Sequence, residues 1–246
     1  MRLGFRSVFQ RWAWLLTLIS AIAFGSPATG RQTSERNVLT RIQDVRQLPP
    51  GEAAQSRPVH LKGTVTALSG WKNSYFLHDG SGDISVDRTE SAAVRAGDEV
   101  EVTGVTGPGL FASVVIASET KVVGRGRWPE ARLVTYHELA TGTRDSQWVE
   151  IRGVIHSAAV TEIWGRPVLL LTVSLDGTLI SIRIHTFPAA DYSRWVDSSA
   201  RIRGVAGTIF NDRRQLTGLR LFVPSPEFVT LETPGSPDPE RLPIRS

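Results

Sequence analysis

The chain has 246 residues, enough for one large domain or two small ones, and it contains no cysteine. Disulfides, thiol nucleophiles and zinc–thiolate sites are therefore excluded. The formal net charge of +4 belongs mainly to the N-terminus, since removing Arg2, Arg6 and Arg11 leaves 25 basic residues against 24 acidic ones. Such a balance argues against a nucleic-acid-binding protein, which has to neutralise several phosphates.

The first residues have the pattern of a secretory signal peptide. A basic segment, "MRLGFRSVFQR", is followed by the apolar segment "WAWLLTLISAIAFG" and by the small residues of "GSPATG". The apolar run is shorter than the ~20 residues that a membrane-spanning helix needs. We expect cleavage after Gly25 or Ala28, giving a periplasmic or secreted protein without a membrane span. An uncleaved N-terminal membrane anchor is the alternative.

A short helical segment is predicted ahead of each half of the remaining chain. In the first, Val38, Ile42, Val45 and Leu48 share one face at helical spacing, and the second is "LVTYHELATG". The segment "GRGRWPEAR" between the halves is interpreted as a linker. The C-terminal segment is rich in proline and charge and is expected to be extended or disordered.

Each half then carries the same order of predicted strands. Apolar and polar residues alternate with a period of two, and Gly, Asp and Asn turns interrupt them, which is typical of half-buried strands. Five strands in each half favour a closed barrel, since closure removes exposed strand edges. The landmarks that recur are a basic residue with glycine (Lys62-Gly63, Arg152-Gly153), an Asp-Gly turn (Asp79-Gly80, Asp176-Gly177) and a glycine ending the fourth strand (Gly104, Gly204).

The basic-Gly strand, the "YFLHDGSGDISV" hairpin and the "GDEVEVTG" strand together resemble the OB-fold. Two such units behind a signal peptide are similar to the extracytoplasmic N-terminal region of bacterial membrane-bound sensor histidine kinases, which have close counterparts of "PVHLKGTVT", "VVGRGRWPEA" and "WVEIRGVI". The resemblance implies an all-β protein with two tandem OB-like barrels. The predicted boundaries are 1–28 signal peptide, 29–56 helical lead-in, 57–124 barrel 1, 125–145 linker with a short helix, 146–232 barrel 2 and 233–246 tail.

His78 and Asp79 are adjacent in the hairpin and raise the question of catalysis. General-base chemistry needs a histidine that a partner orients towards a substrate. Neighbouring strand residues point to opposite faces, so we expect these two side chains to diverge, with Asp79 bonding turn amides. The matching turn at Asp176 has no adjacent histidine, which favours a structural role.

Other catalytic and cofactor motifs are absent from the sequence. The remaining histidines are scattered without HxH or HExxH spacing, and nucleophile elbows, P-loops and dinucleotide fingerprints are missing. We therefore expect a protein that is not an enzyme and that holds no metal and no cofactor.

Candidate ligand contacts lie in the loops that rim each predicted barrel, because OB-folds bind on strands two and three and on the adjoining loops. A Trp beside a cation can stack on a sugar, base or aromatic ring; the alternative is a Trp that plugs the barrel mouth. The adjacent Arg213 and Arg214 could bind a phosphate or a carboxylate; the alternative is that they form a solvated turn. The candidates are Trp71, Lys72 and Tyr75 in the first unit and Trp164, Arg166, Arg213 and Arg214 in the second.

The sequence thus predicts an exported ligand-recognition or sensory module for a small molecule, oligosaccharide or peptide. Single-stranded nucleic-acid binding, the commonest use of the fold, is an alternative that the near-neutral charge disfavours. A scaffold that binds another envelope protein is a third hypothesis, and it predicts an exposed apolar patch.

Overall fold

The structure is a computed structural model that describes residues 38–70, 74–89, 93–109, 112–210 and 216–235. The predicted signal peptide and most of the predicted tail lie outside these ranges, as do four of the predicted ligand contacts: Trp71, Lys72, Arg213 and Arg214. Within the described ranges, no helix has the length and apolar character needed to cross a membrane.

Barrel 1 consists of five strands that close on themselves in the order β1-β2-β3-β5-β4. All neighbours pair antiparallel except β3 and β5, which are parallel. Alternate residues point inward, and they form a core of aliphatic side chains together with Tyr75. The strands are β1 (Pro58–Leu68), β2 (Tyr75–His78), β3 (Asp83–Arg88), β4 (Asp98–Gly107) and β5 (Val114–Arg125).

Barrel 2 repeats this topology with two added strands. Its sheet has the order β12-β10-β11-β9-β8-β7-β6, and an additional pairing of β7 with β10 closes the five central strands. As in barrel 1, the third and fifth strands, β9 and β11, are the parallel pair. The strands are β6 (Arg132–Leu133), β7 (Trp148–Ile163), β8 (Arg166–Leu175), β9 (Thr178–Ile184), β10 (Ser199–Phe210), β11 (Leu216–Val223) and β12 (Val229–Thr233).

The sequence prediction of an all-β protein with two tandem OB-like barrels is therefore confirmed. The strand order of both barrels is that of the five-stranded Greek-key OB barrel. Recurrent glycines allow the barrels to close tightly: a Cβ on Gly104 would lie 2.3 Å from the carbonyl oxygen of Ile116, and one on Gly153 would lie 2.4 Å from that of Ser174.

Short helices precede both barrels at the predicted places: α1 (Ile42–Arg46) and α2 (Pro50–Ala53) before barrel 1, and α3 (Tyr136–Ala140) before barrel 2. Ile42 and Val45 are buried, as the helical spacing predicts. Val38 is not part of that face, because it lies before the helix and is 51% exposed, whereas the neighbouring Leu39 bridges to β1.

An aromatic cluster joins the two barrels. Phe76 of β2 and Phe222 of β11 have ring centroids 5.2 Å apart, and Trp148 of β7 lies 5.3 Å from Trp128 of the linker. Phe228 packs against both tryptophans. The linker therefore packs between the barrels, because its tryptophan is part of this cluster.

Candidate functional site

The aspartate at each barrel's hairpin turn is a structural anchor. Asp79 accepts hydrogen bonds from the turn amides of Ser81 (2.8 Å) and Gly82 (3.1 Å), as its position predicts. Its second oxygen accepts one from the amide of Ile42 (2.7 Å), the first residue of α1. Asp176 likewise accepts one from the amide of Tyr136 (2.8 Å), which begins α3. Each turn therefore fixes the helix that precedes its barrel, a long-range role that the local pattern did not reveal.

His78 does not pair with Asp79. Its Nδ1 lies 3.0 Å from a carboxylate oxygen of Asp83, across the hairpin on β3. This hydrogen bond raises the pKa of His78 above its ordinary value of 6.5, against a smaller opposing effect of burial. The geometry links the two strands of a hairpin, so the histidine–aspartate neighbours of the sequence act separately.

Tyr75 was predicted to extend a stacking platform on strand two, and the structure places it in the core instead. Its side chain is 0% exposed, its hydroxyl lies 3.1 Å from Thr120 Oγ1, and the guanidinium carbon of Arg88 is 5.5 Å from its ring centroid. Burial raises the pKa of Tyr75 to about 12. The alternation of β2 directs Tyr75 inward and Phe76 outward, so the prediction of Tyr75 as a ligand contact is wrong.

The outer side of β2 and β3 in barrel 1 faces barrel 2. Phe76 and Asp87 from barrel 1 line a cavity of about 480 Å³ together with Thr208 and Phe222 from barrel 2. Phe76 and Phe222 are only 5% and 7% exposed because each covers the other. In barrel 1 the surface that OB-folds commonly use for binding is therefore partly covered by barrel 2 at Phe76, while Asp87 of β3 stays exposed at the cavity.

The corresponding side of barrel 2 carries Trp164 and Arg166 where the sequence predicts them. Trp164 and Gly165 form the two-residue turn between β7 and β8, with φ of 53° and 72°, and Arg166 is the first residue of β8. Trp164 is 53% exposed, so it does not plug the barrel mouth. The guanidinium carbon of Arg183 lies 5.6 Å from its ring centroid.

Two arginines that the sequence analysis did not select lie on the same side of the sheet. Ile180, Ile182 and Ile184 of β9 point into the core, so the alternating Arg183 points outward. Arg220 on the neighbouring strand β11 does the same, with its guanidinium carbon 5.9 Å from the ring centroid of Phe222. The alternation around Arg183 was visible in the sequence, but the pairing that brings Arg220 beside it is a tertiary property.

Both arginines are half-buried. Among the described residues, Arg183 Nε and Nη1 and Arg220 Nε are buried without a hydrogen-bond partner, and no carboxylate oxygen lies within 4.0 Å of either guanidinium. Burial lowers the pKa of Arg183. Burial and repulsion from Arg183 lower the pKa of Arg220 to about 10, so both remain charged at neutral pH. We name Trp164, Arg183 and Arg220 the cationic face.

This arrangement suits an anion better than a metal ion or a neutral ligand. Buried polar groups normally have partners, and two guanidiniums that repel each other gain most from a negatively charged one. Within the described ranges, no group of three or more His, Asp or Glu side chains is placed to hold a metal ion. The positions of Arg213 and Arg214, in the segment between β10 and β11, lie outside the described residues.

Comparisons with known proteins identify no family for this chain. No family model and no curated protein matches it. Solved structures that resemble it include a replication protein A heterotrimer bound to single-stranded DNA, at 14% identity and a TM-score of 0.35, covering 80% of this chain and 52% of that one.

Two further similar structures are the tetrameric p202 HIN2 and a murine DNA-binding protein bound to double-stranded DNA. The first has 10% identity and a TM-score of 0.29, with 70% of this chain and 92% of that chain covered. The second has 9% identity and a TM-score of 0.32, with coverages of 72% and 99%. This chain spans about half the length of the replication protein A chain it matches. At such scores these similarities bear on neither its activity nor its ligand.

Proposed function

We propose that the protein is a non-catalytic binding module that holds single-stranded nucleic acid on the cationic face of barrel 2. The observation that carries this proposal is the pair of half-buried guanidiniums, Arg183 and Arg220, without a carboxylate partner among the described residues, beside an exposed indole. The face comprises the outer side of the third and fifth strands and the turn between the first and second, and it includes part of the region where OB-folds take oligonucleotides and oligosaccharides.

The two kinds of side chain have different roles in this proposal. Arg183 and Arg220 neutralise adjacent phosphates, which relieves both their mutual repulsion and the cost of their burial. Trp164 presents the exposed part of its ring to a base, and such stacking requires bases that are not paired within a duplex. A neutral oligosaccharide would use the indole but leave the guanidiniums without a counter-charge.

The near-neutral net charge, which disfavoured this function at the sequence level, does not oppose it here, because the local arrangement of charge decides binding. Several other arginines are already paired: Arg152 and Arg201 both lie 3.7 Å from Glu232, and Arg125 lies 2.7 Å from Asp98. Among the described residues, Arg183 and Arg220 have no carboxylate oxygen within 4.0 Å, and both lie on one face of barrel 2. Average composition hides such a concentration.

Export and a sensory role remain predictions from the sequence. If the predicted signal peptide is cleaved, the nucleic acid is one that the protein meets outside the cytoplasm. The resemblance to the front of sensor kinases would then make binding on barrel 2 the input of a signalling protein. The geometry of the cationic face is the same in either case.

Fluorescence anisotropy with labelled oligothymidylates tests the proposal. A length of about 15 nucleotides is chosen because it matches the upper range of OB-fold site sizes. Titrations between about 50 and 200 mM salt give the number of phosphates contacted. We expect Arg183→Gln/Arg220→Gln to weaken binding by at least about tenfold and to lower the salt slope by about 1.4, since each phosphate contact on a single strand contributes roughly 0.7.

The matched control is Arg152→Gln/Arg201→Gln, which removes the same charge from the same barrel at arginines paired with Glu232. It should bind nearly as the wild type does. A second variant, Trp164→Ala, should weaken binding by roughly 1–3 kcal/mol while leaving the salt slope unchanged. If both arginine double variants lost the same oligonucleotide affinity, binding would be non-specific charge attraction and the proposed site would be wrong. Absence of binding by the wild type would also contradict the proposal.

A further inference from the structure

A second cavity, which we name the junction pocket, lies where the two barrels meet. It has a volume of about 270 Å³, below the usual range for drug-sized ligands. Barrel 1 contributes the end of β1, the start of β2 and the end of β3, and barrel 2 contributes the start of β8 and the residues after β9. Its lining includes Gly70, Ser74, Arg88, Arg166, His185 and Thr186.

Three basic side chains converge on this pocket, and its described lining contains no carboxylate. Arg88 comes from barrel 1 and is partly desolvated, which lowers its pKa. Arg166 and His185 come from barrel 2. Arg166 is close enough to His185 to repel a positive charge on the imidazole ring. The hydroxyl groups of Ser74 and Thr186 complete the polar lining. This composition suits a small anion with several acceptor oxygens.

Gly70 fixes the imidazole of His185 at the pocket. A Cβ at Gly70 would lie 2.3 Å from Cε1 of the ring, and its φ of +72° is one that glycine adopts without strain. The absence of a side chain at residue 70 therefore lets barrel 1 pack directly against the histidine. Such packing fixes the direction of the ring rather than leaving it to solvent.

The two ring nitrogens of His185 are in different environments. A hydrogen bond to the backbone of Ser69 favours the protonated ring, while Nε2 is buried without a partner among the described residues. Burial, followed by repulsion from Arg183 and Arg166, lowers the pKa of His185 below 6.5. The lowered pKa favours the neutral ring, which carries a proton on one nitrogen only. If that proton faces Ser69, Nε2 can donate a hydrogen bond to an anion only after the ring takes up a second proton.

We propose that the junction pocket binds a phosphoryl group between the two barrels, held by Arg88, Arg166 and His185, and that His185 takes up a proton when the group binds. The pocket adjoins the cationic face: neither Arg183 nor Arg220 lines it, but Arg183 is close enough to His185 to repel a charge on its ring. Both free phosphate and the terminal phosphate of a nucleotide have the required tetrahedral, multiply charged form.

Isothermal titration calorimetry with sulfate and with inorganic phosphate at about pH 5.5 and 7.5, on either side of the ordinary histidine pKa, tests this site. Sulfate has the same shape and does not titrate in this range, so the pH dependence of its binding reports on the protein. We expect sulfate to bind about tenfold more tightly at the lower pH, in line with one gained charge-assisted hydrogen bond. His185→Gln should remove this pH dependence.

Arg166→Gln is the second variant, because Arg166 is exposed at the start of β8 and its loss should not disturb folding. It should weaken sulfate binding at both pH values, whereas Arg152→Gln, on the far side of the barrel, should not. Oligothymidylates with and without a 5′-phosphate separate the two sources, since only a nucleotide ligand would give a preference for the phosphorylated form.

Unchanged sulfate binding in Arg166→Gln and His185→Gln, or no binding by the wild type at either pH, would overturn the junction pocket as a phosphoryl site. Either result would leave oligonucleotide binding by Arg183 and Arg220 untouched. Loss of oligonucleotide binding with retained sulfate binding would contradict the cationic face and leave the junction pocket standing. The results therefore distinguish failure of one proposal from failure of the other.

Discussion

In barrel 1 the outer side of β2 contacts the other barrel through Phe76, whereas in barrel 2 the exposed Trp164 of the β7–β8 turn lies beside the half-buried Arg183 on the outer side of β9. Both barrels have the same strand order, the same parallel third and fifth strands and the same turn aspartate. The difference indicates that the inward residues maintain the barrel, while the outward residues of the same strands are free to diverge. Both faces contribute to the contact between the barrels, through Phe76 in one and Phe222 in the other, but only that of barrel 2 also carries the side chains that we propose as ligand contacts.

The largest expected effect on the free energy of unfolding concerns the glycines of the fourth strands, Gly104 in barrel 1 and Gly204 in barrel 2. We expect Gly104→Ala to destabilise the protein by about 3 kcal/mol and Gly204→Ala by about half as much, since overpacking typically costs 1–3 kcal/mol. A Cβ would lie 2.3 Å from a backbone oxygen at Gly104 but 2.8 Å from one at Gly204. Urea denaturation gives both values. Gly51→Ala, with no atom within 4 Å of the new Cβ, is the control and should not destabilise.

The turn aspartates should differ by a smaller amount. Asp79 accepts hydrogen bonds with both carboxylate oxygens, so Asp79→Asn must place its NH₂ group against a donor. Asp176 accepts the backbone hydrogen bond from Tyr136 with one oxygen, and an asparagine carbonyl can take its place. We expect a loss of about 1–2 kcal/mol for Asp79→Asn and less than about 0.5 kcal/mol for Asp176→Asn, as measured by thermal unfolding. Equal losses would show that the two turns are anchored alike.

The smallest expected effect concerns His78, whose counterpart in barrel 2 is an apolar residue, Leu175, before the Asp-Gly turn. The pKa of His78 is raised in the folded state, so its pairing with Asp83 stabilises the protein fully below pH 6.5 and is lost as the pH rises through the higher folded-state pKa. We expect His78→Gln to cost about 1 kcal/mol near pH 6 and almost nothing near pH 8.5. A difference between wild type and variant that stays constant with pH would contradict this pairing.

Much of the fold could be predicted because the responsible signals are local. The alternation of Ile180, Ile182 and Ile184, the glycine at residue 153 and the Asp-Gly turns each specify strands or corners within a few residues. The duplicated order then specified two barrels. Val38 was wrongly placed on the helical face because helical spacing alone does not show where the helix begins.

The candidate site was less predictable, because it depends on which strands become neighbours. Trp164 was found from its turn, but Arg220 becomes important only when β11 pairs with β9 and brings it beside Arg183. Tyr75 was misplaced for the same reason: the direction in which a single strand residue faces depends on the register of the whole barrel. The net charge does not reveal such a site, because it averages arginines with and without carboxylate partners.

Photo-crosslinking tests the central claim, that barrel 2 rather than barrel 1 presents the ligand-binding face, most directly. An oligonucleotide containing 5-iodouracil is bound to the protein, irradiated and mapped by mass spectrometry. We predict crosslinks to the peptide that contains Trp164, and their loss in Arg183→Gln/Arg220→Gln. Crosslinks confined to peptides of β1–β5, or crosslinks that survive in this double variant, would contradict the account.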